Sequence, residues 1–280
     1  MHKFFTPTPL GGFPPIHLSH PTQAFEGFPP DLLNNWLEEP GFKAIARIFD
    51  FPKIAYADAS LPRALIEQSI RVIIAHTLPD LPPPTCHPPP KSPKSTNIPT
   101  LLVTLPSERA QRSLLRGRIW SSEWITFEAL PTTELPPPTA FFAITSFPTD
   151  NARYPEKYIR STWSDPKNAR RITDALSRAD GPEQTAKDAF NHLIATLSAD
   201  PFPCQSGLGF SFVIHASTWL NDTELWAKLK TVLLTLDYPP TPLLGHIDIT
   251  PLPYCSLCHS VAHLRLDCPF PKLHFWNGPS

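Results

Sequence analysis

Three cysteines and one histidine near the end of the chain have the residue types and the spacing of a metal site. In "YCSLCHSVAHLRLDC" (254–268), Cys255, Cys258, His263 and Cys268 follow the pattern Cys-x2-Cys-x4-His-x4-Cys. Thiolate and imidazole donors suit the borderline-soft Zn²⁺ ion, which prefers four tetrahedral ligands. Four ligands from one segment leave no open coordination position. The spacing therefore predicts a structural zinc site that orders this segment and has no hydrolytic role.

Two alternatives for these residues stay open in the sequence. A disulfide plus a spare thiol would also account for the cysteines, but the first residues lack the basic region and apolar run of a secretion signal. His259 could replace His263 as a ligand, although it directly follows Cys258 and would be sterically tight. The sequence favours a metal over a disulfide, and His263 over His259.

The composition limits the classes of protein to which the chain could belong. Of its 280 residues, 41% are hydrophobic and 18% are charged, and the net charge is −1. A buried core is therefore expected, and no global field draws the chain to polyanions. No stretch approaches the roughly 20 apolar residues that span a bilayer. We expect no membrane association and a cytoplasmic or nuclear location.

Clusters of proline divide the chain into segments. There are 38 prolines, far above the usual share of about 5%. Residues 1–29 lack periodicity and are predicted to be a disordered, Pro-rich N-terminus, and residues 30–77 are predicted to be a helical segment. Residues 78–99 are predicted to be a Pro-rich linker that excludes a helix or a central strand, because proline has no amide donor. The Cys86-His87 pair within this linker is interpreted as incidental.

Residues 100–251 alternate between strand and helix patterns. Strands are predicted at 100–106, 124–131, 139–147, 208–217 and 245–253, and helices at 107–118, 151–179, 182–197 and 222–236. The opening order of strand, helix, strand, strand is that of a ferredoxin-like, or RRM-like, unit. The predicted fold class is α+β, with an RRM-like body, N-terminal helices and a small zinc knuckle at 252–280. The body could be one elaborated domain or two half-units packed together.

Basic residues in one predicted helix could form a surface for nucleic acid. Arg109, Arg112 and Arg116 recur at helical spacing, with Arg118 at the end of the helix, and together could neutralise several phosphates. A second basic stretch covers 153–178. A solvated basic face without a ligand is the alternative.

Aromatic residues could supply stacking platforms for bases or belong to the core. Trp120 and Trp124 follow the basic helix, and alternation places Phe210 and Phe212 on one face of a strand. Residues 255–268, which contain the four ligands, are called the metal segment below. Phe270, Phe275 and Trp276 follow it, where they could cover its apolar side or extend a stacking surface.

The ligand spacing resembles the zinc knuckles of retroviral-type nucleocapsid and retrotransposon Gag proteins. "CSLCHSVAHLRLDCPFP", followed by "FWNGP", is similar to the C-terminal segment of Gag-like proteins of mushroom-forming fungi. "LLVTLPSERAQRSLLRGRIWSSEWITFEALP" looks like the RRM-like part of those proteins and of LINE first-open-reading-frame products. The resemblance covers roughly residues 97–280. It implies single-stranded RNA or DNA as the partner, gripped in part by an aromatic residue stacked on an unpaired base.

The chain departs from the knuckle pattern at several positions. His259 and Ala262 stand where many knuckles have glycine, and Ser256 stands where the usual aromatic residue follows the first cysteine. Tyr254 lies just before that cysteine. Tyr254, Arg265 and Trp276 are therefore the residues around the ligands that we expect to contact nucleic acid.

Motifs for catalysis are missing from the sequence. There is no phosphate-cradling glycine loop, His-Glu-x-x-His site or Gly-x-Ser-x-Gly elbow. The sequence therefore predicts a non-enzymatic, zinc-dependent protein, and the resemblance implies that it binds single-stranded RNA and descends from a retroelement. The alternative is a zinc-stabilised protein-interaction or assembly module, with possible self-association. A decayed element without activity is a third interpretation.

Overall fold

The chain forms two antiparallel sheets with helices packed against them, which confirms the predicted α+β class. This computed structural model describes residues 4–20, 22–25, 27–50, 60–75, 80–90, 100–132, 138–177, 183–203, 209–218, 222–240 and 247–280. Among the helices of these ranges, none combines the length and the apolarity needed to cross a bilayer.

The first sheet has five strands in the order β2-β3-β1-β5-β4. They are β1 (Phe42–Ile48), β2 (Thr85–His87), β3 (Thr100–Leu105), β4 (Ile119–Ser121) and β5 (Thr126–Leu130). Helices α2 (Ser60–Ala75) and α3 (Glu108–Gly117) cover one face, where Ile66, Ile70 and Leu114 join the core. The opposite face meets α1 (Pro30–Glu38), whose Trp36 indole N–H donates to Oγ1 of Thr104 at 3.0 Å.

The second sheet has four strands in the order β7-β8-β6-β9. They are β6 (Ala140–Phe147), β7 (Ser198–Pro203), β8 (Phe210–His215) and β9 (Ile249–Thr250). The helices associated with it are α4 (Arg153–Ser164), α5 (Pro166–Leu176), α6 (Glu183–Ala195) and α7 (Thr223–Leu234). Their apolar sides enclose a large core around Phe142, Trp163 and Leu229.

The two sheets share one strand order. If β4 is set aside, the strands of each sheet, numbered along the chain, lie in the order 2-3-1-4, and every pairing is antiparallel. In each sheet a helical segment follows the first strand and a helix follows the third. The chain thus builds the same arrangement twice, over residues 42–130 and 140–250.

The first sheet begins earlier in the chain than predicted. Residues 42–48 lie in the predicted helical segment 30–77 but form β1, which pairs with β3 on one side and β5 on the other. A short apolar run buried on both faces cannot be told from a buried helix by its periodicity. Pro40, followed by Gly41 at φ +125°, ends α1 and turns the chain into the strand. The predicted start of the α+β region at residue 100 therefore falls inside this sheet.

The predicted linker at 78–99 contributes a strand where the structure describes it. Thr85, Cys86 and His87 form β2 at the edge of the sheet, so the exclusion of a central strand agrees with the structure. Prolines on both sides limit the strand to three residues. Cys86 is fully buried and its amide donates to Oε1 of Glu67 at 2.9 Å, so it belongs to the core. Burial raises the pKa of its thiol to about 12.

The N-terminal residues are packed against the body, contrary to the predicted disorder of 1–29. Phe5 and Phe28 are buried, and the amide of Thr6 donates to the carbonyl of Ser121 at 2.8 Å. Apart from a single 3₁₀ turn at Gln23–Phe25, the described part of this segment has no regular element. An extended segment buries isolated aromatic residues without any periodicity, so the pattern in the sequence did not reveal its packing.

A buried ion pair lies on the face of the first sheet opposite α2 and α3. Arg47 in β1 and Glu128 in β5 are joined by a hydrogen bond, with side chains 1% and 3% exposed. Arg118 approaches the second oxygen of the same carboxylate at 3.3 Å. Two nitrogens of Arg47, Nε and Nη1, have no partner within the described part of the chain. Because the guanidinium is already short of acceptors, it depends on this single carboxylate.

We expect Glu128→Gln to lower the free energy of unfolding by about 3–5 kcal/mol, because it leaves a buried guanidinium without its counter-charge. The matched control is Glu108→Gln, which breaks the exposed pair with Arg112 and should cost no more than about 0.5 kcal/mol. Urea unfolding followed by circular dichroism measures both. Equal effects of the two substitutions would contradict the role assigned to the buried pair.

Candidate metal centre

Cys255, Cys258, His263 and Cys268 converge as their spacing predicts. Their ligand atoms all lie within 4.8 Å of one another. Sγ of Cys258 is 3.3 Å from Nε2 of His263, and the amide of Cys258 donates to Sγ of Cys255 at 3.5 Å. The three cysteines are buried and unbridged, so the disulfide alternative is not formed in this structure. These four side chains could hold a metal ion.

The donor set and its dimensions fit a tetrahedral ion. Metal–sulfur distances near 2.3 Å place neighbouring donor atoms roughly 3.7 Å apart in a tetrahedron. The distance from Sγ of Cys258 to Nε2 of His263, 3.3 Å, is slightly shorter than this value, and no two ligand atoms are more than 4.8 Å apart. Hydrogen bonds with the thiols of Cys258 and Cys268 lower the pKa of Cys255, because its thiolate can accept from both. With all four donors directed inward, the site is closed and suits a structural ion rather than a catalytic one.

A tight turn over residues 255–260 positions the ligands. The amide of His259 donates to the carbonyl of Cys255 at 2.8 Å, and the amide of Cys255 donates to the carbonyl of Ser260 at 2.9 Å. This turn holds His259 at φ +63°, in the left-handed region. Similar knuckles have glycine at this position, and a residue with a side chain costs about 1–2 kcal/mol there. The side chain must therefore provide a compensating interaction.

Both ring nitrogens of His259 are occupied by hydrogen bonds. Nε2 lies 2.8 Å from the carbonyl oxygen of Ile48, and Nδ1 lies 2.7 Å from the hydroxyl of Tyr254. A carbonyl only accepts, so Nε2 carries the hydrogen and Nδ1 accepts from the tyrosine. Burial, aided by the charge of Arg47, lowers the pKa of His259 to about 4 and keeps the ring neutral. His259 is therefore used for docking, and the structure places His263 in the ligand cluster.

The metal segment is held against the end of β1 by further contacts. Arg265 forms a bidentate ion pair with Asp50, with Nη2 at 3.0 Å from Oδ2. The amide of Asp50 donates to the carbonyl of Leu257 at 2.8 Å. Phe270 is fully buried and packs edge-on against Phe49, with ring centroids 5.0 Å apart.

The same segment also touches the second sheet. Val261 packs with Ala140 and Val213, on the face of that sheet opposite its helices. The amide of Val261 donates to the carbonyl of His17 at 3.0 Å, which brings the N-terminal segment into the same contact. One short metal-binding segment thus lies against both sheets and the N-terminus.

The three residues expected to contact nucleic acid around the ligands have different surroundings. Arg265 is committed to Asp50 and to the carbonyl of Ser280, at 2.8 Å. Trp276 lies against Phe270, with ring centroids 5.4 Å apart, so it covers the metal segment. Tyr254 keeps 47% of its surface exposed next to the ligands, while its hydroxyl is bonded to His259.

The predicted basic helix exposes three of its four arginines. Arg109, Arg112 and Arg116 are exposed on α3, and Arg112 pairs with Glu108 at 2.6 Å. Arg118 lies apart from them at φ +53°, where it contacts Glu128 and donates to the carbonyl of Pro14 at 2.8 Å. The structure therefore brings three of these residues onto one surface and places the fourth in the buried network of Arg47.

Most of the aromatic candidates belong to the core. Trp120 is buried and its indole N–H donates to the carbonyl of Leu114 at 2.9 Å. Phe212 is fully buried, and Phe210 packs beside the same core. Trp124 and Phe275 remain exposed, at 51% and 67%.

Sequence reasoning missed the docking roles of His259 and Asp50. Asp50 carried no local signal, because its partner Arg265 lies 215 positions away. His259 did carry one, since a histidine at a position usually occupied by glycine needs a structural reason.

Comparison with known proteins gives no assignment of this chain: no family model, no curated protein and no solved structure matches it.

Substitution of the two histidines should separate ligation from docking. We expect His263→Ala to abolish stoichiometric metal binding and His263→Cys to retain it, because a thiolate replaces the imidazole donor. His259→Ala should retain the metal and lower the free energy of unfolding, since it removes two hydrogen bonds, one of them buried, at about 1 kcal/mol each. Metal content by mass spectrometry of the purified protein, with thermal unfolding, measures both. Loss of the metal in His259→Ala but not in His263→Ala would reverse the assignment.

Proposed function

We propose that this protein binds single-stranded RNA or DNA with a zinc-ordered C-terminal knuckle and a basic helix, and that it has no enzymatic activity. The observation that carries the proposal is the closed cluster of Cys255, Cys258, His263 and Cys268 in knuckle spacing. Three sulfurs and one imidazole favour Zn²⁺ among divalent ions. The resemblance to Gag-like and LINE first-open-reading-frame proteins connects such a cluster with nucleic acid.

The strand orders support an RRM-like, or ferredoxin-like, interpretation of the body. Each sheet follows the strand, helix, strand, strand, helix, strand order of the split βαβ unit, with additional helices in the second. The usual RNA-binding face of such a unit is its helix-free side. Here that side is covered by α1 in the first sheet and by Val261 in the second. Nucleic acid would therefore bind at α3 and at the exposed ring of Tyr254.

The exposed cations of α3 supply the phosphate contacts in this proposal. Arg109 and Arg116 form no hydrogen bond or ion pair with any described residue, and Arg112 has only the exposed partner Glu108. Exposed pairs of this kind contribute little, so all three are available to phosphates. The net charge of −1 over the chain does not oppose this, because ions screen distant charges beyond a Debye length of about 8 Å.

Fluorescence anisotropy with a labelled single-stranded RNA tests the proposal. We expect the triple substitution Arg109→Ala, Arg112→Ala and Arg116→Ala to weaken binding. It should also reduce the slope of log affinity against log salt by about 2, since each phosphate contact contributes about 0.7. The charge-matched control replaces Arg63, Arg71 and Lys228 by alanine. Absence of binding by the native chain below about 100 μM at physiological salt, weak even for non-specific association, would remove the proposal.

A second candidate function is an assembly module in which zinc only closes the fold. The docking of the metal segment favours it, because His259, Arg265 and Trp276 all contact the protein's own residues. Sedimentation velocity with and without a chelator separates the two functions. Metal-dependent self-association together with no RNA binding supports the assembly module, and a monomer that binds RNA supports the first proposal.

A further inference from the structure

A cavity of about 760 Å³ lies between α7, β9 and the residues that lead into the metal segment. Its walls are mainly apolar and include Phe141, Leu234 and Leu252. Tyr254 stands at the end next to Cys255, and the polar side chains of Ser19, Gln23, Lys230 and Thr250 also line it. Ligand sites have this volume and this combination of apolar walls with a few polar groups.

Lys230 places a partly buried cation in this cavity. Its Nζ donates to the carbonyl of Ser19 at 3.0 Å and lies 4.9 Å from the ring centroid of Trp226. An ammonium group has three hydrogens, and the carbonyl uses one of them. Burial lowers the pKa of Lys230, as expected for a cation that lacks part of its hydration. The group therefore retains donor capacity toward an acceptor in the cavity.

Gln23 adds a second donor to the same cavity. Its side chain is nearly inaccessible, at 3% exposure, and Oε1 accepts from the amide of Ser19 at 2.6 Å. An amide N–H can only donate, so this contact identifies Oε1 and leaves Nε2 as the other terminal atom. Nε2 is thus the donor that this side chain can offer to a ligand in the cavity.

No described residue that lines the cavity is acidic. Lys230 and Gln23 both present donors, Lys230 carries a positive charge, and the hydroxyls of Ser19 and Thr250 can donate as well. An anionic group is the ligand chemistry that satisfies both. The aromatic and aliphatic walls, in turn, favour a flat or apolar body attached to that group.

We propose that this cavity binds an organic anion with a flat apolar body. The anionic group meets Lys230 and Gln23, and the body packs between Phe141 and Leu252, toward the ring of Tyr254. This inference does not depend on the binding of a nucleic-acid strand. A nucleotide unit and a free aryl carboxylate share the required chemistry.

The test uses 8-anilino-1-naphthalenesulfonate, a fluorescent anion with an aromatic body, titrated into the full chain. We expect saturable binding at one site. Lys230→Met should weaken it about tenfold or more, because a hydrogen bond to a charged group is lost. Gln23→Glu should weaken it similarly, since it keeps the acceptor for Ser19 and replaces the Nε2 donor with a negative oxygen.

The matched control is Lys228→Met, on the same helix, whose Nζ donates to the carbonyl of Asp174 at 3.0 Å. This variant should bind the probe like the native chain. Circular dichroism shows that each variant is folded, and Gln23→Glu provides an isosteric test if Lys230→Met is unstable. Binding of the probe that is unchanged in both cavity variants would overturn the proposal.

Competition then identifies the source of the anion. Displacement of the probe by adenosine 5′-monophosphate but not by adenosine supports a nucleotide site, and displacement by 1-naphthoate but not by 1-naphthol supports an aryl carboxylate site. Equal displacement by the neutral and the anionic member of each pair would contradict the role of Lys230 and Gln23. Loss of RNA binding in the α3 variant, with probe binding intact, would show that the two sites are separate.

Discussion

The hydrogen bonds of His259 connect the metal segment to the rest of the molecule. Its neutral ring accepts from Tyr254 and donates to the carbonyl of Ile48, at the point where β1 leaves the first sheet. A buried carbonyl at the end of a strand must find a donor or pay a desolvation cost. The ligands fold the turn that presents the histidine, and the histidine in turn supplies that donor. An ion held by these four ligands would therefore be coupled to the docking of the segment.

The metal segment is packed into the body and is not a separate finger attached to its end. The ion pair of Arg265 with Asp50 and the packing of Phe270 on Phe49 continue the contact along the end of β1. Val261 extends it to the second sheet. A segment of this size is too small to bury a core of its own, and here the body supplies the apolar surface that it lacks.

The placement of positive charge follows from the same packing. Arg47 and Arg118 share the buried carboxylate of Glu128, and Arg265 is paired with Asp50. These paired arginines stabilise the body, and their charge is neutralised, so they add little to the positive potential at the surface. The exposed side of α3 and the cavity at Lys230 are separate places where a cation has donors that no described residue accepts. A near-neutral chain can thus still have local sites for anions.

The sequence by itself determined the ligand cluster, because four donors within fourteen residues can meet only by closing one short loop. It also determined the mixed α+β class and the exposed arginines of α3, since helical spacing and a Ser107 cap are local properties. The place of β1, the packing of residues 4–20, 22–25 and 27–28, and the use of Arg118, Arg265 and Trp276 were decided only by the tertiary structure. Each of these depends on partners far away along the chain. The local sequence of a buried strand, an extended segment or an arginine does not indicate which residue it will contact. Periodicity reports which face of an element is apolar, whereas the identity of the surface that covers it arises only when the chain has folded.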